Sequence, residues 1–412
     1  MTELQPDRTD AILGGQTPQP DRTDAILGGQ NPQPIDTLVL RGLEGIKNRL
    51  ASKDKPIQIS ALQAALDYED KGLDLLVEIW KNDSNELKWD AFSLLRTRAE
   101  EKVKQALTEY NPWLNLKCVY SWDQMSTAMS IAISPDGNTL FSGNQEQINV
   151  WDLQTNKQKS ISFPYEYAGT LAVTNNGKTL VSRGRGKGMF NDTWDPRIML
   201  WNLEIGEHRS IVEESCDTST LVVSPCERFI LYGKRFVGNI RVWDLEKDKF
   251  AKSIQDSKDI MESLAMSNDG SFVVGGDRSY NVKVWDFKTR SLATTFKHRH
   301  MVSSVAISPD DRTVVSGSRD RTVKVWDLQA NKIKFDLKGH EGWVYSVAIT
   351  PDGNYAFSSS SDKTIRGWDL HSGECVGILT GHTELIHCLV VSSDGKTLIS
   401  SSEDKTIKVW RR

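Results

Sequence analysis

The chain lacks any run of eighteen apolar residues, and its start, Met-Thr-Glu-Leu-Gln-Pro-Asp, has no basic region followed by an apolar one. Neither a membrane-spanning helix nor a secretory leader is therefore expected. Cysteine is scarce. Cys118, Cys216, Cys226, Cys375 and Cys388 are scattered, odd in number and form no Cys-x-x-Cys pair. That usage argues against a disulfide framework and predicts reduced, buried thiols, with the cytoplasm as the default location. An excess of one charge is lacking too. The 51 basic and 55 acidic residues leave a net charge of −4, and residues 117–412 alone carry 37 basic and 36 acidic side chains. A nucleic-acid binder usually needs a clear basic excess or stripe, so that class is disfavoured except through a local patch.

Catalytic signatures are missing as well. There is no Gly-x-x-x-x-Gly-Lys-Ser/Thr loop, and the run Gly184-Arg185-Gly186-Lys187-Gly188 lacks its spacing and its following helix. No Gly-x-Ser-x-Gly elbow and no His-Glu-x-x-His site occur. His298 and His300 flank Arg299, but no third ligand accompanies them. No metal and no cofactor are expected. His208, His371 and His387 stand alone and read as surface or packing residues.

What the chain does have is a recurring tryptophan. Trp151, Trp201, Trp243, Trp285, Trp326, Trp368 and Trp410 follow one another at intervals of 50, 42, 42, 41, 42 and 42 residues. A period of about 40–45 residues marks a propeller array with one four-stranded blade per repeat. The text around each tryptophan agrees, as in Asn149-Val150-Trp151-Asp152-Leu153 and Lys324-Val325-Trp326-Asp327-Leu328, short alternating strands. Upstream lie turns such as Ser134-Pro135-Asp136-Gly137 and Thr350-Pro351-Asp352-Gly353, whose Pro and Gly preset turn dihedrals between antiparallel strands.

These residues resemble WD repeats. Gly339-His340, Asp362 and Trp368-Asp369 make one match, Gly381-His382, Asp404 and Trp410 another, and His300, Asp320 and Trp326 a third with Arg299 in place of the Gly. The resemblance covers roughly residues 117–412 and implies a seven-bladed β-propeller. It also implies that each repeat His, a strand Ser or Thr, the turn Asp and the Trp form one buried hydrogen-bonded set. His300, His340, His382, Asp320, Asp362, Asp404, Trp326, Trp368 and Trp410 are thereby assigned to the framework. The first four blades depart from the pattern. Gln145, Val237 and Ser279 occupy turn-Asp positions, the last with Asp277 close by, and Ser257 replaces the His of blade four. Blade two carries an insertion around residues 183–195, and Asp195 has the spacing of its turn Asp. The chain ends just after a third strand, so the apolar segment 117–122 is expected to supply the last blade's outer strand and close the ring.

Ahead of the propeller, residues 5–18 read QPDRTDAILGGQTP and residues 19–32 read QPDRTDAILGGQNP. So polar a segment cannot offset its ordering entropy, and residues 1–34 are expected to be a disordered tail. Residues 35–110 turn to helical periodicity. Leu43, Ile46 and Leu50 share a face; Leu62, Ala65 and Leu66 follow the helix starter Pro56; Leu73, Leu76, Val77 and Trp80 form the next stripe. Asp83 and Glu86 suggest a further helix start, leading to Leu87, Ala91, Leu94 and Leu95, then Val103 and Leu107. This segment resembles a pair of HEAT-type repeats, and the whole arrangement is similar to WD-repeat proteins of cyanobacteria. Residues 111–412 are assigned to the propeller.

The WD-repeat resemblance implies that partners bind where loops emerge beside the repeat His and the turn Asp. Carried onto this chain, those positions are Glu341, Trp343, Thr383, Leu385, Met301, Arg319, Arg278 and Glu403. Blade two adds Tyr165 and Tyr167, and its long loop adds Arg183, Arg185, Met189, Phe190 and Trp194. Aromatic residues and Arg are enriched at interface hot spots. The expected function is a non-enzymatic scaffold that docks proteins or peptides. The alternatives are an enzyme like the HEAT-type lyases of open-chain tetrapyrroles, or an RNA binder acting through Arg183, Arg185 and Lys187.

Overall fold

The computed structural model describes residues 35–411, apart from residues 53, 83–86, 96–97, 99, 111–115, 145–146, 163–168, 188–193, 212–217, 235–237 and 255–258. The tail 1–34 and the helix start at Asp83 and Glu86 thus lie outside the described residues. So do Gln145, Val237 and Ser257. The chain divides into two compact units, residues 1–103 and 104–412, with the division inside the helix Glu101–Tyr110.

The first unit is helical: Ile35–Leu50, Lys55–Ala65, Glu69–Asn82 and Leu87–Leu95, then Glu101–Tyr110. Pro56 sits in the first turn of its helix, where its missing N–H costs nothing. The stripes read from the sequence form the core, with Leu43, Ile46, Leu62, Ala65, Leu73, Leu76, Trp80, Ala91, Leu95 and Val103 all buried. The Trp80 and Phe92 rings meet at 4.6 Å.

The second unit consists of seven antiparallel sheets of four strands each. Six blades run in sequence over residues 130–162, 171–211, 218–250, 261–297, 302–337 and 344–379. The seventh combines Ile386–Val391, Leu398–Ser402 and Thr406–Arg411 with the early strand Lys117–Asp123. That strand runs antiparallel to the chain's last one, Lys117 opposite Arg411 and Asp123 opposite Thr406. The expected closure is therefore present.

Strand alternation explains how the blades pack. In Val323–Asp327, Val323 and Val325 face blade six, where they join Val344, Val347 and Trp368. Trp326 points the other way, onto Val274, Val282 and Val284 of blade four. Successive side chains alternate between faces, and both faces of a blade are covered by neighbours, so apolar residues occur on both. The same arrangement joins the last blade to the first, where Ile399, Ile407 and Val409 meet Leu140 and Trp151.

Polar stitching adds to the apolar packing along the innermost strands. The amides of Leu171, Leu264, Val305, Val347 and Leu389 donate at 3.0–3.2 Å to hydroxyls one blade back, on Ser130, Thr220, Ser263, Ser304 and Ser346. In blade seven Cys388 holds that position, and its thiol donates to the Met129 carbonyl of blade one at 3.3 Å. Burial pushes the Cys388 thiol up to about 11, which keeps the donor proton in place. The expectation of buried thiols fails elsewhere: Cys118, Cys226 and Cys375 are free but exposed, Cys388 as a residue is only half-buried, and Cys216 lies outside the described residues. The exposed three lie on strand edges and turns, where the small side chain has no blade packed over it.

The turns opposite the docking loops hold a second ring of links. Gly137, Gly177, Gly270, Gly353 and Gly395 take φ values of 65–72° there. Glu227 and Asp311 adopt φ 59° at the same position in blades three and five. Their carboxylates offset the strain by accepting from the previous blade's turn. Asp311 takes the amides of Asn268 at 2.7 Å and Asp269 at 3.0 Å, and Glu227 takes that of Asn176 at 2.5 Å. Asp311→Ala removes two acceptors and keeps a left-handed backbone on a residue with a Cβ, for an expected loss of about 1–3 kcal/mol. Asp311→Gly relieves the backbone and is expected to cost less. Urea unfolding of the three proteins checks the order, and Ala at or above Gly contradicts it.

Candidate docking face

The framework set is complete in blades five to seven. In blade six the Trp368 indole N–H donates to Ser358 Oγ at 2.8 Å. Ser358 and His340 Nε2 lie 2.7 Å apart, and His340 Nδ1 meets Asp362 Oδ2 at 2.7 Å. Thr364 and the Glu341 amide complete the carboxylate's shell, at 2.6 and 3.0 Å. Blade seven repeats this with Trp410, Ser400, His382 and Asp404. The chain has one direction: indole to hydroxyl, hydroxyl to imidazole, imidazole to carboxylate. It requires a neutral histidine with its proton on Nδ1.

In blade five the histidine of the set is His298, not His300. His298 Nδ1 lies 2.9 Å from Asp320 Oδ2 and its Nε2 lies 2.8 Å from Ser316 Oγ, which takes the Trp326 N–H at 2.8 Å. The reason is reach: His298–Asp320 spans 22 residues, as do His340–Asp362 and His382–Asp404. His300 is exposed, accepts the Met301 amide at 2.8 Å and touches the Tyr280 ring at 5.4 Å. Both nitrogens of His298 are committed, so the His298–His300 pair offers no metal site. Among the described residues no cluster of metal-ligating side chains occurs.

The other blades depart from this set in different ways. In blade one the Gln124 amide donates to Ser142 Oγ at 3.0 Å, in the place of an imidazole, and the Trp151 N–H joins it at 3.0 Å. In blade two Trp201 reaches Ser182 at 2.9 Å. Asp195 is not a turn residue: it lies within the strand Trp194–Asn202, opposite Gly186. The insertion is thus a lengthened hairpin of two nine-residue strands, Thr179–Lys187 and Trp194–Asn202. Blade three has Tyr232 in the serine's place, opposite Arg241, and the Trp243 N–H is buried without a hydrogen-bond partner. Blade four has Gly275 there. Asp277 accepts the Asn281 amide at 2.7 Å, Lys283 Nζ lies 3.5 Å from Asp277 and 3.7 Å from Asp259, and Ser279 donates to Asp259 at 2.6 Å.

Around these sets stand the residues assigned to partner binding. Trp343 is 41% exposed, and its amide is tied to Ser361 Oγ at 2.8 Å. The Arg319 guanidinium lies 4.7 Å from the Trp343 ring centre and 5.8 Å from that of Tyr345. Tyr345 in turn touches His387 at 5.8 Å. Tyr345 and His387, absent from the sequence-based set, immediately follow the first inward residue of their strands, and both lie at register shifts that aim them at the rim. Arg278 pairs with Glu262. Glu341 and Glu403 are exposed and Leu385 is half-buried. Arg183 is buried, not offered to a partner. It stands one residue beyond the blade's serine, within the strand Thr179–Lys187. Arg185 and Trp194 lie in the long hairpin, and only their backbone is described. Tyr165, Tyr167, Met189 and Phe190 lie outside the described residues.

The family model described as "WD domain, G-beta repeat" matches residues 116–152, 249–286, 290–327, 331–369 and 373–411. The chain carries five WD repeats within a seven-bladed β-propeller. The five matched stretches leave out residues 153–248, where the long hairpin and the unpartnered Trp243 occur. The chain is similar to "Target of rapamycin complex subunit wat1" of Schizosaccharomyces pombe, at 24% identity over 156 residues, 38% of this chain and 48% of that protein. It is also similar to "Autophagy-related protein 16" of Arabidopsis thaliana, at 26% identity over 168 residues, 40% of this chain and 31% of that protein. The matched region thus spans half or less of each relative.

Two expectations follow from this chemistry. Trp368→Phe removes a donor from a complete set, whereas Trp243→Phe removes one that has no acceptor. The first is expected to lose about 1–3 kcal/mol more than the second in chemical denaturation; equal losses contradict the hydrogen-bonded account. The second concerns acid. Burial lowers the basicity of His298 and His382 against the pull of Asp320 and Asp404. Burial opposes ionisation of the three aspartates, but their hydrogen bonds from histidine, threonine and backbone outweigh it. Asp320 and Asp362 end well below the usual carboxylate range, and Asp404 falls to about 2. The unfolded chain then binds more protons than the folded one below about 6.5, and again below about 3.8. Tm is expected to fall as pH drops through 6.5 and more steeply below 4. Replacing His298 and His382 with Gln should flatten the upper step, and a Tm constant from pH 8 to 5 contradicts the argument.

Proposed function

We propose that this propeller is a non-enzymatic cytoplasmic scaffold that docks proteins or peptides on the face bearing Trp343 and Arg319. The observation that carries the reading is an aromatic side chain left exposed on a loop held by backbone and side-chain hydrogen bonds. A rigid, amphipathic ring pays little entropy on binding, and Trp and Arg supply much of the energy at hot spots. The names of the two relatives, a complex subunit and an autophagy-related protein, fit a role in assemblies. Against catalysis stands the use of each complete set: its imidazole nitrogens and carboxylate oxygens are already engaged by framework groups. No described helix is long and apolar enough to cross a membrane. The helical first unit offers a second docking surface.

The test is affinity capture from the native cell with the full chain and with Trp343→Ala. Particular proteins recovered by the first should fall about tenfold or more with the second, while Tm stays within a few degrees. An unchanged set of captured proteins removes this face from the proposal.

A further inference from the structure

Blades four and five use the same position in two different ways. Arg278 of blade four and Arg319 of blade five are equivalent, each following the residue that pairs with the first inner strand, Asp277 with Met261 and Ser318 with Val302. The next residue of that inner strand is Glu262 in blade four and Ser303 in blade five. Glu262 neutralises Arg278. Ser303 provides no carboxylate, and its hydroxyl is buried without a partner. Arg319 Nε is likewise buried without a partner, and among the described residues no acid pairs with the guanidinium.

The surroundings repeat this imbalance. Arg299 and Arg321 flank the same turn and are exposed, and neither makes an ion pair among the described residues. The Asp320 carboxylate between them is turned inward, where it accepts from His298, the Arg299 amide and Thr322. Glu341, the one acid in the loop 338–343, forms no ion pair with these arginines. Positive charge is therefore concentrated beside the exposed face of Trp343, with Asp320 turned inward and Glu341 exposed but unpaired with these arginines. Arg319 is only half-buried, so the outer edge of its guanidinium, away from the buried Nε, suits a planar, two-point acceptor.

We propose that this corner receives an Asp or Glu side chain of a partner peptide. The carboxylate forks onto Arg319, with Arg299 and Arg321 adding long-range attraction, and an adjacent apolar residue of the peptide lies on Trp343. The inference rests on the docking reading above and specifies its partner as an acidic segment. Lysine at 319 would keep the charge but lose the fork, so it should restore binding only in part.

The test selects a random peptide display library on the full chain, then measures the enriched peptides as fluorescent ligands. Enriched sequences should carry Asp or Glu next to an apolar residue. Their affinity should drop about tenfold or more with Arg319→Gln and with Trp343→Ala, with partial recovery in Arg319→Lys. Ser303→Glu should give blade five the internal acid that blade four has and so abolish binding. Because that change is buried, Tm is measured beside it, and Arg319→Gln carries the test if the variant unfolds. Changing the peptide's acid to its amide should cost as much as Arg319→Gln, and the double change should add little. Peptides with no acidic excess that still depend on Trp343 keep the docking face and overturn this inference. Peptides indifferent to both residues overturn both readings. A labelled RNA strand that binds through Arg319 in place of any peptide assigns the cations to phosphate and overturns it as well.

Discussion

A buried indole N–H must find an acceptor, and the architecture of this ring turns on how each blade provides one. A serine hydroxyl is the simplest acceptor. Once buried, that hydroxyl needs somewhere to send its own proton, and the imidazole and carboxylate extend the relay to the surface turn. Blades five, six and seven finish the relay. In blade one the Gln124 amide donates to the hydroxyl instead of receiving its proton, blade four has Gly275 in the serine's place beside an ion cluster around Lys283, and blade three leaves Trp243 without an acceptor. Since an unmet buried donor costs about 1–3 kcal/mol, the ring is stabilised unevenly around its circumference.

That unevenness bears on recognition. The relay fixes the loops on either side of it, because the same aspartate that holds the histidine also accepts the amide of the following residue, as Asp362 does from Glu341. Trp343 stands two residues beyond Glu341 and is tied down by Ser361. The framework thereby presents a rigid aromatic without contributing chemistry of its own. Arg319 is the exception to local neutrality. Its neighbours in space are rings, and the internal acid present one blade earlier is missing. Positioning thus comes from the turn of blade six and charge from that of blade five.

Much of the fold could be read from the sequence because a propeller repeats one strand pattern, and the tryptophan period carries blade count and closure together. The Lys117–Asp123 strand was legible as an apolar segment lying ahead of the first recurring tryptophan, and it pairs with Thr406–Arg411. The histidine of blade five was misplaced because Arg299-His300 mimics Gly-His, while the 22-residue reach to the aspartate singles out His298. Gln124 was not legible because a glutamine stands where the later repeats carry the histidine, although the first matched repeat, residues 116–152, includes it. Asp195 matched by spacing alone, and strand pairing through Gly186 shows that spacing within a lengthened hairpin says nothing of a turn. The Arg278–Glu262 and Arg319–Ser303 comparison depends on register shifts in the inner strands, which side-chain alternation does not reveal.

The central claim, that the relay from indole to carboxylate sets blade stability, is tested most directly by native-state hydrogen exchange of the full chain. The amides of Val323–Asp327, Ile365–Asp369 and Thr406–Arg411, third strands of the blades with complete relays, are expected to exchange slowest. Those of Ile240–Asp244 in blade three should open at least tenfold faster, as expected for about 1.4 kcal/mol or more of lost local stability. Equal protection in all four strands, or greatest protection in blade three, would contradict the account.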